Sequence, residues 1–258
     1  MGHVQIERRD GIATVSFSNP GRKNAIPASA WPEVEAVFRE VGASRTDRCV
    51  VVTGEGDDFC SGADMSAAAG DGEPQHPLRA MREVSSAIEA LHAVPQPVVA
   101  RVTGVCVGVG LNIALGCDLL IAADDARFSQ IFARRGLSID GGGSWVLPRV
   151  VGLQKAKELA LLADILTADE AERIGLVTRV VPRTDLDSTV DDIARRLAAG
   201  PPLALSSTKR LLNQSAQVTL PQALEAEAQA QAVNFSTRDT IEAVQAFRER
   251  REPSFEGR

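Results

Sequence analysis

The sequence predicts an α/β domain whose strands are covered on both faces, and three observations carry that reading. Short, almost wholly apolar runs recur at Cys49-Val50-Val51-Val52-Thr53, Val98-Val99-Ala100-Arg101-Val102 and Leu119-Leu120-Ile121-Ala122-Ala123. Such runs belong to strands buried on two sides, as in parallel sheets. Segments with apolar residues at helical spacing separate them. Glycine-rich turns follow two of the strands, at Gly54 to Asp58 and Gly104 to Gly110.

The elements follow in chain order. Val4 to Ile6 and Ile12 to Phe17 alternate around Asp10-Gly11, a hairpin signal, and Ser18-Asn19-Pro20-Gly21 ends the second strand. From Pro27 to Val41 the residues Trp31, Val34, Val37, Phe38 and Val41 recur at helical spacing. Beyond the Cys49 strand, residues 66 to 77 have the composition of a mobile surface loop. A helix is expected from there to about Ala93, with Met81, Val84, Ile88 and Leu91 on one face. Gly104 to Leu115 reads as a turn opening a small-residue helix. The last hundred residues read as mainly helical, with Gly152, Gly175, Gly200 and Pro221 near helix boundaries. The expected organisation is a core domain over 1-197 and a helical segment over 198-258, without internal repeats.

A chain of 258 residues can bury roughly three quarters of its unfolded surface and needs no staple. The formal charge of -6 and the lack of a basic block argue against nucleic acid or an anionic membrane as partner. Cys49, Cys60, Cys106 and Cys117 form no CxxC pair, so neither zinc nor a redox motif is suggested, and apolar neighbours point to buried, reduced thiols. The start, Met1 to Glu7, has no charged leader followed by an apolar run, and no apolar stretch reaches the ~20 residues of a membrane span. A cytoplasmic protein is expected.

Two loops carry chemistry. Phe59-Cys60-Ser61-Gly62-Ala63-Asp64-Met65 and Val102-Thr103-Gly104-Val105-Cys106-Val107-Gly108-Val109-Gly110-Leu111-Asn112 each follow a strand. Small residues at such a place leave backbone N–H groups pointing outward, and two such ends that converge can hold negative charge developing on an oxygen. A third stretch, Gly136-Leu137-Ser138-Ile139-Asp140-Gly141-Gly142-Gly143-Ser144-Trp145, sets one carboxylate at the mouth of a glycine cluster. Gly108-Val109-Gly110 lacks the third glycine of a dinucleotide fingerprint, and there is no G-x-S-x-G elbow. His3, His76 and His92 are far apart and adjoin no nucleophile.

Together these stretches resemble the crotonase (enoyl-CoA hydratase/isomerase) superfamily. The likeness extends over Arg22-Lys23-Asn24-Ala25, both loops, Cys117-Asp118-Leu119-Leu120-Ile121-Ala122, Leu147-Pro148-Arg149-Val150-Val151-Gly152, the stretch Leu166 to Val177, and Phe235-Ser236-Thr237-Arg238-Asp239. It implies a spiral of ββα units with a C-terminal helical trimerisation segment, a homotrimer or dimer of trimers, and an acyl-CoA thioester as substrate. No cofactor is implied beyond the coenzyme A carried by that substrate. By match of motif the thioester oxygen is held by the N–H groups of Ala63 and Val109. Lys23, Ala25, Asp64 and Met65 would follow the CoA moiety. Ser61, Val105 and Gly108 join the expected binding set, and Phe235 and Arg250 would reach a neighbouring subunit's ligand.

Hydratases of this type use two glutamates on a water molecule. At the matching positions stand Asn112 and Phe132, neither of which can work as acid and base. Asp140 matches an aspartate that is functional in isomerases of the family. With Ile139, Trp145 and Phe132 around it, desolvation should raise its pKa; as a plain turn residue bonding the N–H groups of Gly141 and Gly142 it would be lowered instead. The dehalogenases of the family also need a histidine where this chain has Ser85. The expectation is therefore an isomerase acting through Asp140. A hydratase with a rearranged water site and a non-catalytic acyl-CoA-binding protein are the alternatives.

Overall fold

The computed structural model describes residues 3–65 and 76–258; most of the expected 66 to 77 loop lies outside the described residues. The strands are β1 (Val4–Arg9), β2 (Ile12–Phe17), β3 (Cys49–Gly54), β4 (Val98–Val102), β5 (Val105–Val107), β6 (Leu119–Ala123), β7 (Arg127–Ser129), β8 (Leu166–Thr167) and β9 (Arg179–Val181). The helices are α1 (Trp31–Ala43), α2 (Pro77–His92), α3 (Val109–Leu115), α4 (Gly143–Val151), α5 (Leu153–Leu162), α6 (Ala168–Arg173) and α7 (Leu186–Ala199). Three more follow, α8 (Pro202–Gln214), α9 (Leu220–Phe235) and α10 (Arg238–Glu249), and the boundary expected at residue 198 falls inside the last turn of α7.

The hairpin forms as the Asp10-Gly11 pair predicts. Val4 faces Phe17 and Arg9 faces Ile12 in an antiparallel ladder. Asp10 and Gly11 both take positive φ, 53° and 75°, which matches the right-handed twist of the strands they join. All other neighbours in the large sheet, of order β1-β2-β3-β4-β6-β9, are parallel. A smaller sheet, β5-β7-β8, takes the chain after each turn out of the large one.

The apolar runs are explained by two cores. Successive side chains of a strand point to opposite faces. Val50 and Val52 of β3 join Val15, Val98, Ala100 and the α1 stripe Trp31, Val34, Val37, Phe38 and Val41 on one side. Cys49 and Val51 join Val99, Ile121 and Leu186, Val190 and Ala194 of α7 on the other. With both faces covered, no polar alternation is permitted, and each buried valine contributes about 1.5–3 kcal/mol.

Two details differ from expectation. The buried face of α2 is Val84, Ala87, Ala90 and Leu91, while Met81 is exposed and Ile88 lies at the edge. Ala87 and Ala90 are buried in the same core cluster as the α1 stripe. Residues 105–107 pair with β7 and form a strand where a turn was expected; three residues are too few to show a period. The cysteines are free thiols, with Cys49, Cys60 and Cys106 buried. Among the described residues no helix is long and apolar enough to cross a membrane.

Candidate active site

The two loops are brought together by a short parallel pairing beyond the end of β3. Phe59 N donates to Thr103 O at 2.9 Å, Cys60 N to Val105 O at 2.9 Å, and Val107 N to Cys60 O at 3.1 Å. Cys60 and Cys106 therefore stand in register in a parallel bridge. Three residues further along each loop lie Ala63 and Val109. The backbones do meet there: a methyl group added at Gly62 would stand 3.9 Å from Val109 N, and one at Gly108 would stand 4.0 Å from Gly62 Cα.

The directions of the two amides follow from what their neighbouring carbonyls do. Gly62 O accepts from Ile26 N at 2.8 Å. In a trans peptide C=O and N–H point opposite ways, so the Ala63 N–H is turned away from Ile26. Gly108 O accepts from Asn112 N at 3.1 Å in the first turn of α3, which leaves the Val109 N–H among the unpaired donors at a helix start. Neither N–H has an acceptor among the described residues. Gly108 makes the turn at φ 58° and ψ −131°, a conformation that a side chain excludes. Val109 itself is helical, so its branched side chain is accommodated, 2% exposed, against Gly141.

That contact joins the third stretch to the amide pair. A methyl at Gly141 would stand 2.6 Å from Val109 Cγ2, so the residue after Asp140 lies flat on Val109. The main-chain oxygen of Asp140 closes the turn, accepting from Gly143 N at 2.9 Å and from Asn112 Nδ2 at 2.7 Å. The carboxylate does neither job. Its Oδ1 is buried with no hydrogen-bond partner among the described residues, and burial pushes its pKa up from 3.8 to about 6. The direction is that of a desolvated carboxyl, and the turn-capping alternative, which would have lowered it, does not occur.

Asn112 is 1% exposed and its amide is engaged inside the protein. Besides its bond to Asp140 O, its Oδ1 accepts from Gln130 Nε2 at 2.7 Å. Phe132, in a 3-10 turn over Ile131–Arg135, is buried, and its Cζ would lie 3.9 Å from a methyl on Gly108. Asn112 and Phe132 thus present an engaged amide and an apolar ring beside the second loop. A cavity of about 1010 Å³ opens beyond Asn112, Gly141 and Gly142, walled further by Ile88, Leu115 and Trp145.

Comparison with known proteins bears on this geometry. The family model described as "Enoyl-CoA hydratase/isomerase" matches residues 7–258. The chain belongs to the enoyl-CoA hydratase/isomerase family. It is 37% identical over 256 residues to a probable enoyl-CoA hydratase of Rhodobacter capsulatus, covering 99% of this chain and 98% of that one. It is 34% identical over 261 residues to the 1,2-epoxyphenylacetyl-CoA isomerase of Escherichia coli, covering 100% and 98%. The crystal structure of an enoyl-CoA hydratase from Bacillus anthracis superposes with a TM-score of 0.94 at 30% identity, covering 99% of this chain and 100% of that one. The fold is that of the crotonases, and the family acts on acyl-CoA thioesters.

Several residues that the family resemblance singles out gather around the first loop. Lys23 and Asn24 hold positive φ, 50° and 55°, in a turn pinned by Ser61, whose N donates to Lys23 O and whose Oγ donates to Arg22 O, each at 2.9 Å. Lys23 Nζ lies 3.8 Å from Asp58 Oδ2, and that same carboxylate accepts from Val105 N at 2.8 Å through Oδ1. Ala25 is buried, Asp64 N donates to Ile26 O at 2.8 Å, and Met65 is exposed. Phe235 and Arg250 lie apart from this group. Phe235 ends α9 and is 73% exposed, and Arg250 caps α10 in the left-handed region; no described hydrogen bond or ion pair links either to the amide pair.

Sequence reasoning missed Ile26, Asp58 and Gln130. Ile26 acts only through its backbone and carries no signal. Gln130 follows the strand Arg127–Ser129 and is buried, and a buried side-chain amide is the kind of polar group that needs a partner.

Proposed function

We propose that this family member is an acyl-CoA isomerase in which Asp140 moves a proton along the acyl chain while the Ala63 and Val109 amides hold the thioester oxygen. The reading rests on one observation above all: a half-buried carboxylate whose Oδ1 is buried and unpartnered, pKa about 6, on a loop packed against Val109. A base with a pKa near the working pH is suited to removing a proton from carbon.

In the forward step the Asp140 carboxylate takes a proton from the acyl chain. The electron pair spreads onto the thioester oxygen, where each amide donor supplies about 3–4 kcal/mol of transition-state stabilisation. The carboxylic acid then returns the proton at another carbon, so a double bond moves and no atom is gained or lost. An epoxide-bearing ring acyl group would call on the same two parts. The cavity of about 1010 Å³ beside Gly141 and Gly142 borders the Asp140 loop, but Ala63, Val109 and Asp140 do not line it. Lys23, Ala25, Asp64 and Met65 would follow the CoA moiety, and no cofactor besides that CoA is called on. Exposed Leu220, Leu224, Phe235 and Phe247 support an assembly in which these helices meet other copies, as trimer or dimer of trimers.

Hydration is the second reading, favoured by the hydratases among the relatives. Against it stand the engaged amide of Asn112 and the ring of Phe132, which leave no acid–base pair to hold water. The deciding experiment is Asp140→Asn: isomerase turnover should vanish while CoA-ester affinity stays within a few-fold. Unchanged turnover rejects the assignment, rapid loss of crotonyl-CoA absorbance by the wild type establishes the hydratase, and binding without turnover across a broad panel of CoA esters establishes a non-catalytic protein.

A further inference from the structure

The thiol of Cys60 has no part in the proton transfer, yet it sits where both loops meet. Its main chain ties the two together through Val105 O and Val107 N. Its Sγ accepts from Gly62 N at 3.4 Å and donates to Gly62 O at 3.8 Å, so it touches both ends of the residue that precedes Ala63. On its other side it bears on α3. A methyl at Gly110 would stand 2.6 Å from Cys60 O, 2.8 Å from Cys60 Cβ and 2.9 Å from Cys60 Sγ. The first turn of the helix carrying Val109 therefore rests directly on this side chain. Cys60 is fully buried, and burial pushes its thiol up to about 12, so it stays neutral and can both donate and accept.

We infer that the Cys60 side chain is a positioning residue that sets the spacing and angle of the Ala63 and Val109 amides. The inference rests on the oxyanion role proposed above for that pair. The sulfur is the spacer between the Gly62 peptide and the Gly110 backbone. A smaller group lets the two surfaces settle toward each other, and a larger one pushes the helix start away. Serine keeps the donor and acceptor but shortens the reach, and its hydroxyl carries a greater desolvation cost. A misplacement of about 1 Å at a catalytic group can cost on the order of 10²-fold in rate. Smaller shifts should be visible in the amides' hold on the ligand before they are visible in the fold.

The test reads the amide pair without relying on turnover. Butyryl-CoA labelled with ¹³C at the thioester carbonyl is bound to the wild type, to Cys60→Ala and to Cys60→Ser, and the carbonyl stretch is recorded by difference infrared spectroscopy. The bound wild type should show the band moved to lower frequency than free ligand. Cys60→Ala should return the band part of the way to the free position, with Cys60→Ser between the two. Affinity for butyryl-CoA should stay within about threefold, since the fully buried Cys60 side chain cannot touch the ligand, and turnover on an isomerisable ester should fall about tenfold in kcat with little change in KM. A Cys60→Ala band identical to wild type, with unchanged kcat, overturns the inference and leaves Cys60 a filler of the core. A wild-type band that does not move on binding would instead reject the oxyanion role of the amides. Thermal unfolding of each variant separates a shifted amide from a lost fold, and Cys60→Ala, which adds no atoms, is the variant expected to fold in every case.

Discussion

The side-chain amide of Asn112 donates to the main-chain oxygen of Asp140 at 2.7 Å, and Gln130 in turn donates to Asn112 Oδ1 at 2.7 Å. Asn112 is thereby a fastening for the loop that carries the carboxylate. Asn112→Ala removes a buried donor from Asp140 O and strands the Gln130 amide. Leaving such groups unsatisfied costs about 1–3 kcal/mol, which for a chain of this size lowers Tm by roughly 2–10 °C. Calorimetry should show that fall together with reduced kcat, because the Asp140 loop loses its tether. A variant with wild-type Tm and kcat would mean the bond holds nothing in place.

Asp140 should stamp its titration on activity. As a base it must be ionised, so kcat/KM should climb about tenfold per pH unit below its pKa and level off above about 6. A profile flat between pH 5 and 7 would exclude Asp140 as the base.

The same group should also shape stability. Its folded pKa of about 6 lies above the ordinary 3.8, so between those values the folded chain holds a proton that the unfolded chain has shed. Stability contributed by this group is therefore intact below pH 4, declines as pH rises to 6, and stays low beyond. Asp140→Asn carries no charge to desolvate. Its Tm advantage over wild type should grow across that window and then hold constant, which differential scanning calorimetry from pH 4 to 8 measures directly.

Gly108 and Gly110 should fail for different reasons. At Gly108 a methyl meets nothing nearer than Ile131 Cγ2 at 3.5 Å, so there is room, but the backbone at φ 58° disfavours any side chain. Gly108→Ala should cost about 1–3 kcal/mol and lower kcat while the fold survives. At Gly110 the methyl meets the Cys60 carbonyl oxygen at 2.6 Å, which cannot move without parting the loops. Gly110→Ala should be the more damaging of the two in Tm and in soluble yield. The reverse order would refute the close approach.

Helix α8 is fastened to the core by Lys209. Its Nζ lies 2.7 Å from Asp118 Oδ2 and 3.0 Å from Gln96 O, and Asp118 Oδ2 also accepts from Val98 N at 2.7 Å, at the start of β4. The ammonium is only 10% exposed, so its loss leaves the Asp118 carboxylate without its counter-charge. Lys209→Met should destabilise by about 2–3 kcal/mol, or roughly 5–10 °C in Tm. The double variant with Asp118→Asn should recover part of that loss in a double-mutant cycle.

The parts legible in advance were those written in local patterns. The hairpin, the α1 stripe and the doubly buried strands follow from spacing alone, and the structure has all three. The α2 stripe was read with Met81, which is exposed, and without Ala87 and Ala90, which are buried, while Ile88 packs partly buried against the core. Strand β5 escaped because its pairing with β7 lies outside its own three residues. Of the residues proposed to act together, Ala63, Val109 and Asp140 were legible as motifs, whereas the contact of Ile26 with the first loop was not, because only its peptide groups take part.

The sequence by itself determined which segments become strands and helices, where small residues leave amides unpaired, and that Asp140 stands alone in a glycine cluster. These properties depend on neighbours within a turn or two along the chain. Tertiary structure decided that the loops carrying Ala63 and Val109 meet through Cys60 and Cys106, that Asn112 turns to Asp140 rather than outward, and that the Asp140 carboxylate is pushed up in pKa. The reason is physical: the direction of an amide and the ionisation of a carboxyl are set by the groups packed around them. Here those groups come from segments distant in the chain.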